Sequence, residues 1–214
     1  MFSLKNISIK TLYLSIFSGI TTGIAVSIFR IFIPKVMELS KHILSAANNS
    51  LLNSLFFILF FIGLGLLVSL FTHIEPMIGG SGIPQVSGIL SNKLKMSWIK
   101  IFICKLLGGI ISIGSGLTLG REGPSVQIGA SIGQGISETF SLKNEERNNL
   151  IAGSAGAGMA VAFNAPISGI IFSIEELLHK TNSKQFIQVS VTVLIAVLTS
   201  LFILGSSPAI PIET

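Results

Sequence analysis

The apolar residues of this chain gather into long runs, and the charged ones into short clusters between them. From Leu51 to Thr72 there is no Asp, Glu, Lys or Arg, so this stretch can cross about 30 Å of hydrocarbon as a helix. Thr11 to Phe29 and Phe186 to Ile212 are likewise uncharged, and the membrane assignment therefore rests on three separate segments. Core helices of a soluble protein seldom stay apolar over about 20 residues.

The pattern predicts helical spans near 11 to 33 and 51 to 72, a Gly-rich break at 78 to 88, and a span near 98 to 117. Helices follow at 124 to 138, 146 to 162 and 166 to 180, with a last span near 186 to 204. The expected fold is all-α, a polytopic membrane helix bundle occupying residues 1 to 214 as one domain. Several of these helices fall short of the ~20 residues needed to cross and begin at glycine or proline. A bilayer tolerates such breaks only where the backbone lines a cavity or is buried in protein, which points to re-entrant helices in a transporter or channel core. Gly19 with Gly23, Gly116 with Gly120, and Gly129 with Gly133 form small-xxx-small pairs that let helices approach closely.

Composition sharpens this picture. Half of the residues are hydrophobic and 11% are charged, against about 25% in an average soluble domain. The formal charge of +5 does not indicate a nucleic-acid partner, because the cations lie between apolar spans, as the positive-inside rule expects. Lys5 and Lys10, Lys93, Lys95 and Lys100, and His179, Lys180 and Lys184 share the cytoplasmic side if the first two spans form a hairpin. The segment between those spans, with Arg30, Lys35 and Lys41 against Glu38, argues mildly the other way; the N-terminus is expected inside. The first apolar run resembles a signal peptide but is too long for one, and reads as a retained span. Cys104 is the single cysteine, which excludes an internal disulfide and leaves it as core filler.

Three stretches share one design: GGSGIPQV at 79 to 86, GREGPSVQIG at 120 to 129, and AFNAPISGIIFSIEE at 162 to 176. In each, a small or polar residue and then a proline open a helix. Proline suits the first turn, whose N–H groups have no partner within the helix, and such a helix end carries about half a positive charge. Two or three of these ends meeting in the bilayer would hold an anion with backbone dipoles and hydroxyls, attracting it without trapping it. For any one stretch an ordinary re-entrant turn is the simpler alternative.

Glu122 sits at such a helix start and is itself an anion where an anion would bind, so protonation would free the position. The alternative is a charge paired with Arg121 and without function. Glu175 and Glu176 close the helix that opens at Pro166; the alternative for them is i,i+4 pairing with His179 and Lys180. Enzyme chemistry has little support: HExxH, the Walker loop and GxSxG are absent, and His42, His73 and His179 share no metal-ligand spacing. No catalytic residue, cofactor or metal is implied.

In their order the three stretches resemble the CLC family of chloride channels and chloride/proton exchangers. The resemblance runs over about residues 12 to 205, through Gly80 to Pro84, Gly120 to Pro124, and Phe163, Pro166 and Gly169 with the acidic helix end. It implies a chloride site built from the Ser81 hydroxyl, the backbone at Gly82 and Ile83, and the helix start at Gly123 and Pro124. It implies Glu122 as the external gating glutamate and Glu176 as the internal glutamate that passes protons in exchangers, where channels usually carry an apolar residue. Serine at position 81 goes with chloride preference in the family, and proline with nitrate. The fluoride branch departs from GSGIP.

Family members join two related halves of inverted topology, and this chain resembles the first. The second half's Gly-Phe-Pro stretch and its chloride-binding tyrosine have no counterpart here, since Tyr13 lies in the first span. The expectation is a truncated or split half, partnered by a second-repeat polypeptide; assembly of two copies is the alternative. The function expected is proton-coupled chloride exchange across a plasma membrane or bacterial inner membrane. A passive chloride channel and a non-transporting membrane subunit are the other readings.

Overall fold

Proline and glycine decide where the helices of this chain start and how closely they approach. A computed structural model describes residues 9–47, 51–142 and 144–205, and among them the backbone is helix and connecting loop. The helices are α1 (Ile9–Ala47), α2 (Leu51–Ile74), α3 (Ile83–Leu90), α4 (Trp98–Gly114), α5 (Glu122–Thr139), α6 (Asn144–Phe163), α7 (Pro166–Phe172) and α8 (Ser183–Leu204). A short 3-10 turn at Pro76–Ile78 leads out of α2, and a wide π-helical turn at Ser173–Leu178 continues α7. Among the described residues three helices, α1, α2 and α8, are long and apolar enough to cross a bilayer, as the uncharged runs predict.

The centre of the bundle is the α5–α6 pair. From Ser125 to Ser137 and from Asn149 to Ala162 nearly every residue is buried, and most are small. Apolar side chains gain little from leaving lipid for protein, so helices in a bilayer associate through close packing and hydrogen bonds. Glycine supplies the packing. A Cβ on Gly129 would lie 2.8 Å from the carbonyl carbon of Ser154, one on Gly158 would lie 2.8 Å from that of Ser125, and one on Gly133 would meet the Ile151 backbone. Gly19 and Gly23 bring α1 against the Thr192 and Ala196 carbonyls of α8 in the same way. Buried polar pairs add to this, with Ser18 and Ser154 hydroxyls 2.5 Å apart and Asn149 donating to Gln188 at 2.8 Å.

Gly116 and Gly120 are the exception among the expected glycine pairs. Both are exposed in the loop between α4 and α5, and Gly116 takes a φ of 93°, so this pair serves a turn rather than a helix contact.

α1 also departs from expectation, running well beyond residue 33 with Pro34 inside it. Here Val36 packs over Gly114 and the Ser40 hydroxyl donates to the Gly114 carbonyl at 3.1 Å, fastening the far half of α1 to the end of α4. Arg30, Lys35, Glu38 and Lys41 are therefore helical residues and not a connecting loop, and Arg30 donates to the Val161 carbonyl near the end of α6 at 2.8 Å. The expected helix over 166 to 180 divides instead, ending at His179 in the left-handed region. α2 runs along the outside, with most of its residues exposed, as lipid-facing side chains would be.

Replacing Gly129 with Ala should cost about 2 kcal/mol by forcing α5 away from α6, the scale of overpacking a filled core. Gly63 on α2 has nothing within 4 Å of where a Cβ would stand, so Gly63→Ala should be neutral or gain a few tenths of a kcal/mol in helix propensity. Unfolding of each variant in detergent micelles, followed by circular dichroism, checks both; equal stability of the two variants would contradict the packing.

Candidate functional site

The end of α2 is turned sharply by its own side chain. Glu75 accepts a hydrogen bond from the Met77 N–H at 3.3 Å, capping the 3-10 turn. The chain then passes through Gly80 at φ 69° and Gly82 at φ 90°, backbone that an L side chain seldom adopts, and enters α3 at Ile83 and Pro84. The Ile83 N–H points back toward the Ser81 hydroxyl at 3.4 Å.

This loop rests directly on the start of α5. A Cβ on Gly123 would come within 2.9 Å of the Ser81 Cα, and one on Gly82 would come within 2.9 Å of the Gln127 side chain. Two glycines thus let the loop that leads into α3 rest on α5, bringing near one another two helix ends that each carry partial positive charge. Pro124, in the first turn of α5, has no N–H to leave unanswered.

A cavity of about 510 Å³ opens at this junction, with Thr72, Ser81, Lys105, Glu122, Gly123 and Pro124 in its wall. Glu122, half-buried, is the first residue of α5, and its carboxylate lies close beside Gly120. Of the residues singled out by sequence, Ser81, Glu122, Gly123 and Pro124 line this space together. Gly82 and Ile83 stand just behind it, buried against Gln127 and bonded to Ser81 respectively.

The third stretch lies elsewhere. Phe163 ends α6, Asn164 turns the chain at φ 56°, Pro166 opens α7, and Gly169 packs α7 onto α6, where a Cβ would meet Ala160 at 2.6 Å. None of these residues is in the cavity wall. Glu175 and Glu176 are both exposed on the π-helical turn. The alternative for them, i,i+4 pairing with His179 and Lys180, is not formed, and Lys184 pairs instead with Glu146 at 3.5 Å. The π turn changes the i,i+4 geometry, and the His179 ring stands 2.9 Å from the Glu175 backbone carbonyl, not its carboxylate.

Sequence reasoning missed Lys105. It lies on α4 with 5% of its surface exposed, and its ammonium donates to the carbonyls of Ile78 at 2.7 Å and Gly80 at 2.9 Å. A cation inside an apolar run is costly in a membrane, and that alone could have marked it. It brings a full positive charge to the cavity wall, answered by peptide dipoles.

The family model for the voltage-gated chloride channel matches residues 64–214, a stretch that holds all three helix-opening motifs. The crystal structure of a slow cyanobacterial Cl−/H+ antiporter matches with a TM-score of 0.82 and 31% sequence identity, covering 95% of this chain and 49% of that one. The crystal structure of a CLC-type fluoride/proton antiporter matches with a TM-score of 0.72 and 20% identity, over 92% of this chain and 47% of that one, and at that identity it speaks to fold alone. This chain therefore spans about half the length of the solved chains it matches. With the family model covering most of its residues and its helices following a solved antiporter, the chain belongs to the voltage-gated chloride channel family.

Proposed function

We propose that this chain forms the first half of a proton-coupled chloride transporter. The reading is carried by one observation: the loop that opens α3 meets the start of α5 at Ser81 and Gly123, in a cavity whose wall includes the protonatable Glu122. In this reading chloride takes the Ser81 hydroxyl, the backbone at Gly82 and Ile83, and the free N–H groups at the start of α5 around Gly123 and Pro124. Dipoles of this kind attract an anion in place of its water and release it again.

Glu122 is the gate. Ionised, its carboxylate competes with chloride for the same positive helix end; protonated, it loses its charge and yields the position. The carboxylate and chloride are then alternative occupants of one positive helix end, and proton uptake by Glu122 goes with chloride entry, which links the movements of the two ions. Glu176 hands protons on from the cytoplasmic side, and its exposed position at the π turn is consistent with access to water. A second repeat faces the cavity and completes the transport pathway; the half-length coverage of the cyanobacterial antiporter supports this.

Calorimetric titration of the purified chain with chloride tests the gate. Wild-type protein should bind chloride more tightly as pH falls, and Glu122→Gln should bind it several-fold more tightly than wild type at neutral pH, with the pH dependence gone. Binding by Glu122→Gln that still follows pH would sink the gating role. Reconstitution in liposomes tests the need for a second half: helical, inserted protein should release no chloride by itself. Efflux coupled to proton movement would show instead that two copies suffice.

A further inference from the structure

Four consecutive peptide carbonyls lead into the anion loop, and a side-chain N–H answers every one. The Met77 carbonyl accepts from Gln127 Nε2 at 2.8 Å, Ile78 from Lys105 Nζ at 2.7 Å, Gly79 from Gln85 Nε2 at 2.8 Å, and Gly80 from the same Lys105 Nζ at 2.9 Å. The three donors come from three helices: Gln85 from α3, Lys105 from α4 and Gln127 from α5.

The placement has a cost that packing does not explain. Gln127 is fully buried, and its Oε1 has no partner, as is also true of Gln85 Oε1. A buried amide oxygen left unanswered is destabilising, so a methionine of similar length would fill the same space more cheaply. What the amides supply is their N–H groups, and both are given to this loop. Gln127 also forms the wall against which Gly82 lies.

We propose that Gln85 and Gln127 are positioning residues of the anion site, acting with Lys105 as a clamp on the carbonyls of residues 77 to 80. This rests on the reading of the loop as an anion site. A carbonyl oxygen carries negative partial charge, and four of them immediately before the N–H groups that would bind chloride oppose an anion there. Placing an N–H on each oxygen offsets that field and fixes the peptide planes, so the loop presents its N–H groups to the cavity without rearranging when the ion arrives.

The test compares Gln127→Met and Gln85→Met with Gln134→Met in the full chain in detergent. Gln134 lies on the same helix as Gln127, is buried with its own unpartnered Oε1, and donates to Glu138 away from the loop. Two quantities are read: the chloride Kd by calorimetry, and hydrogen–deuterium exchange of the amides at 78 to 83. Gln127→Met and Gln85→Met should each raise Kd roughly tenfold, the effect of one lost hydrogen bond, and speed exchange in that segment. Gln134→Met should alter neither, at a melting temperature similar to that of Gln127→Met. Unchanged loop exchange in the first two variants, or the same changes from Gln134→Met, would overturn the clamp. A wild-type chain that binds no chloride would refute the anion reading instead, and loop exchange alone would then decide the clamp.

Discussion

A peptide group in the hydrocarbon core has no water to turn to, so each break in a helix must find its hydrogen-bond partners within the protein. This chain breaks its helices repeatedly, at Gly79–Gly82, at 115 to 121 and at Asn164, and the architecture is an answer to that demand. The α5–α6 pair provides a dense, glycine-lined centre in which backbone meets backbone. The interrupted segments lean on that centre. Without the close approach at Gly123, the start of α5 could not rest on Ser81, and the two helix ends would face lipid instead of one another.

The site that results uses few full charges. Glu122 and Lys105 are the acidic and basic side chains in the cavity wall, and each stands near oriented peptide groups: the first turn of α5 for the carboxylate, two carbonyls for the ammonium. Dipoles would suit the proposed anion site, because their field is strong at contact and falls off faster with distance than that of an ion. A protonatable acid at the end of a helix can then change the charge of the whole site by one unit.

What could be read from the sequence was what is local. Gly-x-Pro helix openings, uncharged runs and i,i+4 glycines depend on neighbouring residues, and most of them stand where the pattern put them, with Ser81, Glu122, Gly123 and Pro124 at one cavity. The misses share another cause. The first span reads as ending near residue 33 until Ser40 and Val36 are seen fastened to Gly114, and Gly116 with Gly120 reads as a helix contact until both prove to lie in a loop. Lys105 and Gln127 reach carbonyls 25 and 50 residues away along the chain. No periodicity records a contact of that separation.

The length of α1 carries a mechanical implication. At 1.5 Å per residue its 39 residues extend for about 58 Å, nearly twice the ~30 Å thickness of hydrocarbon. The helix must lie obliquely or stand out into water, and its far half bears Lys35, Glu38, Lys41 and His42, residues suited to the headgroup layer. That half is the part held to Gly114, from which the chain runs through 115 to 121 to Glu122. One long helix, whose tilt a bilayer must accommodate, is thus joined through a single hydrogen bond and a packing contact to the segment that leads to Glu122.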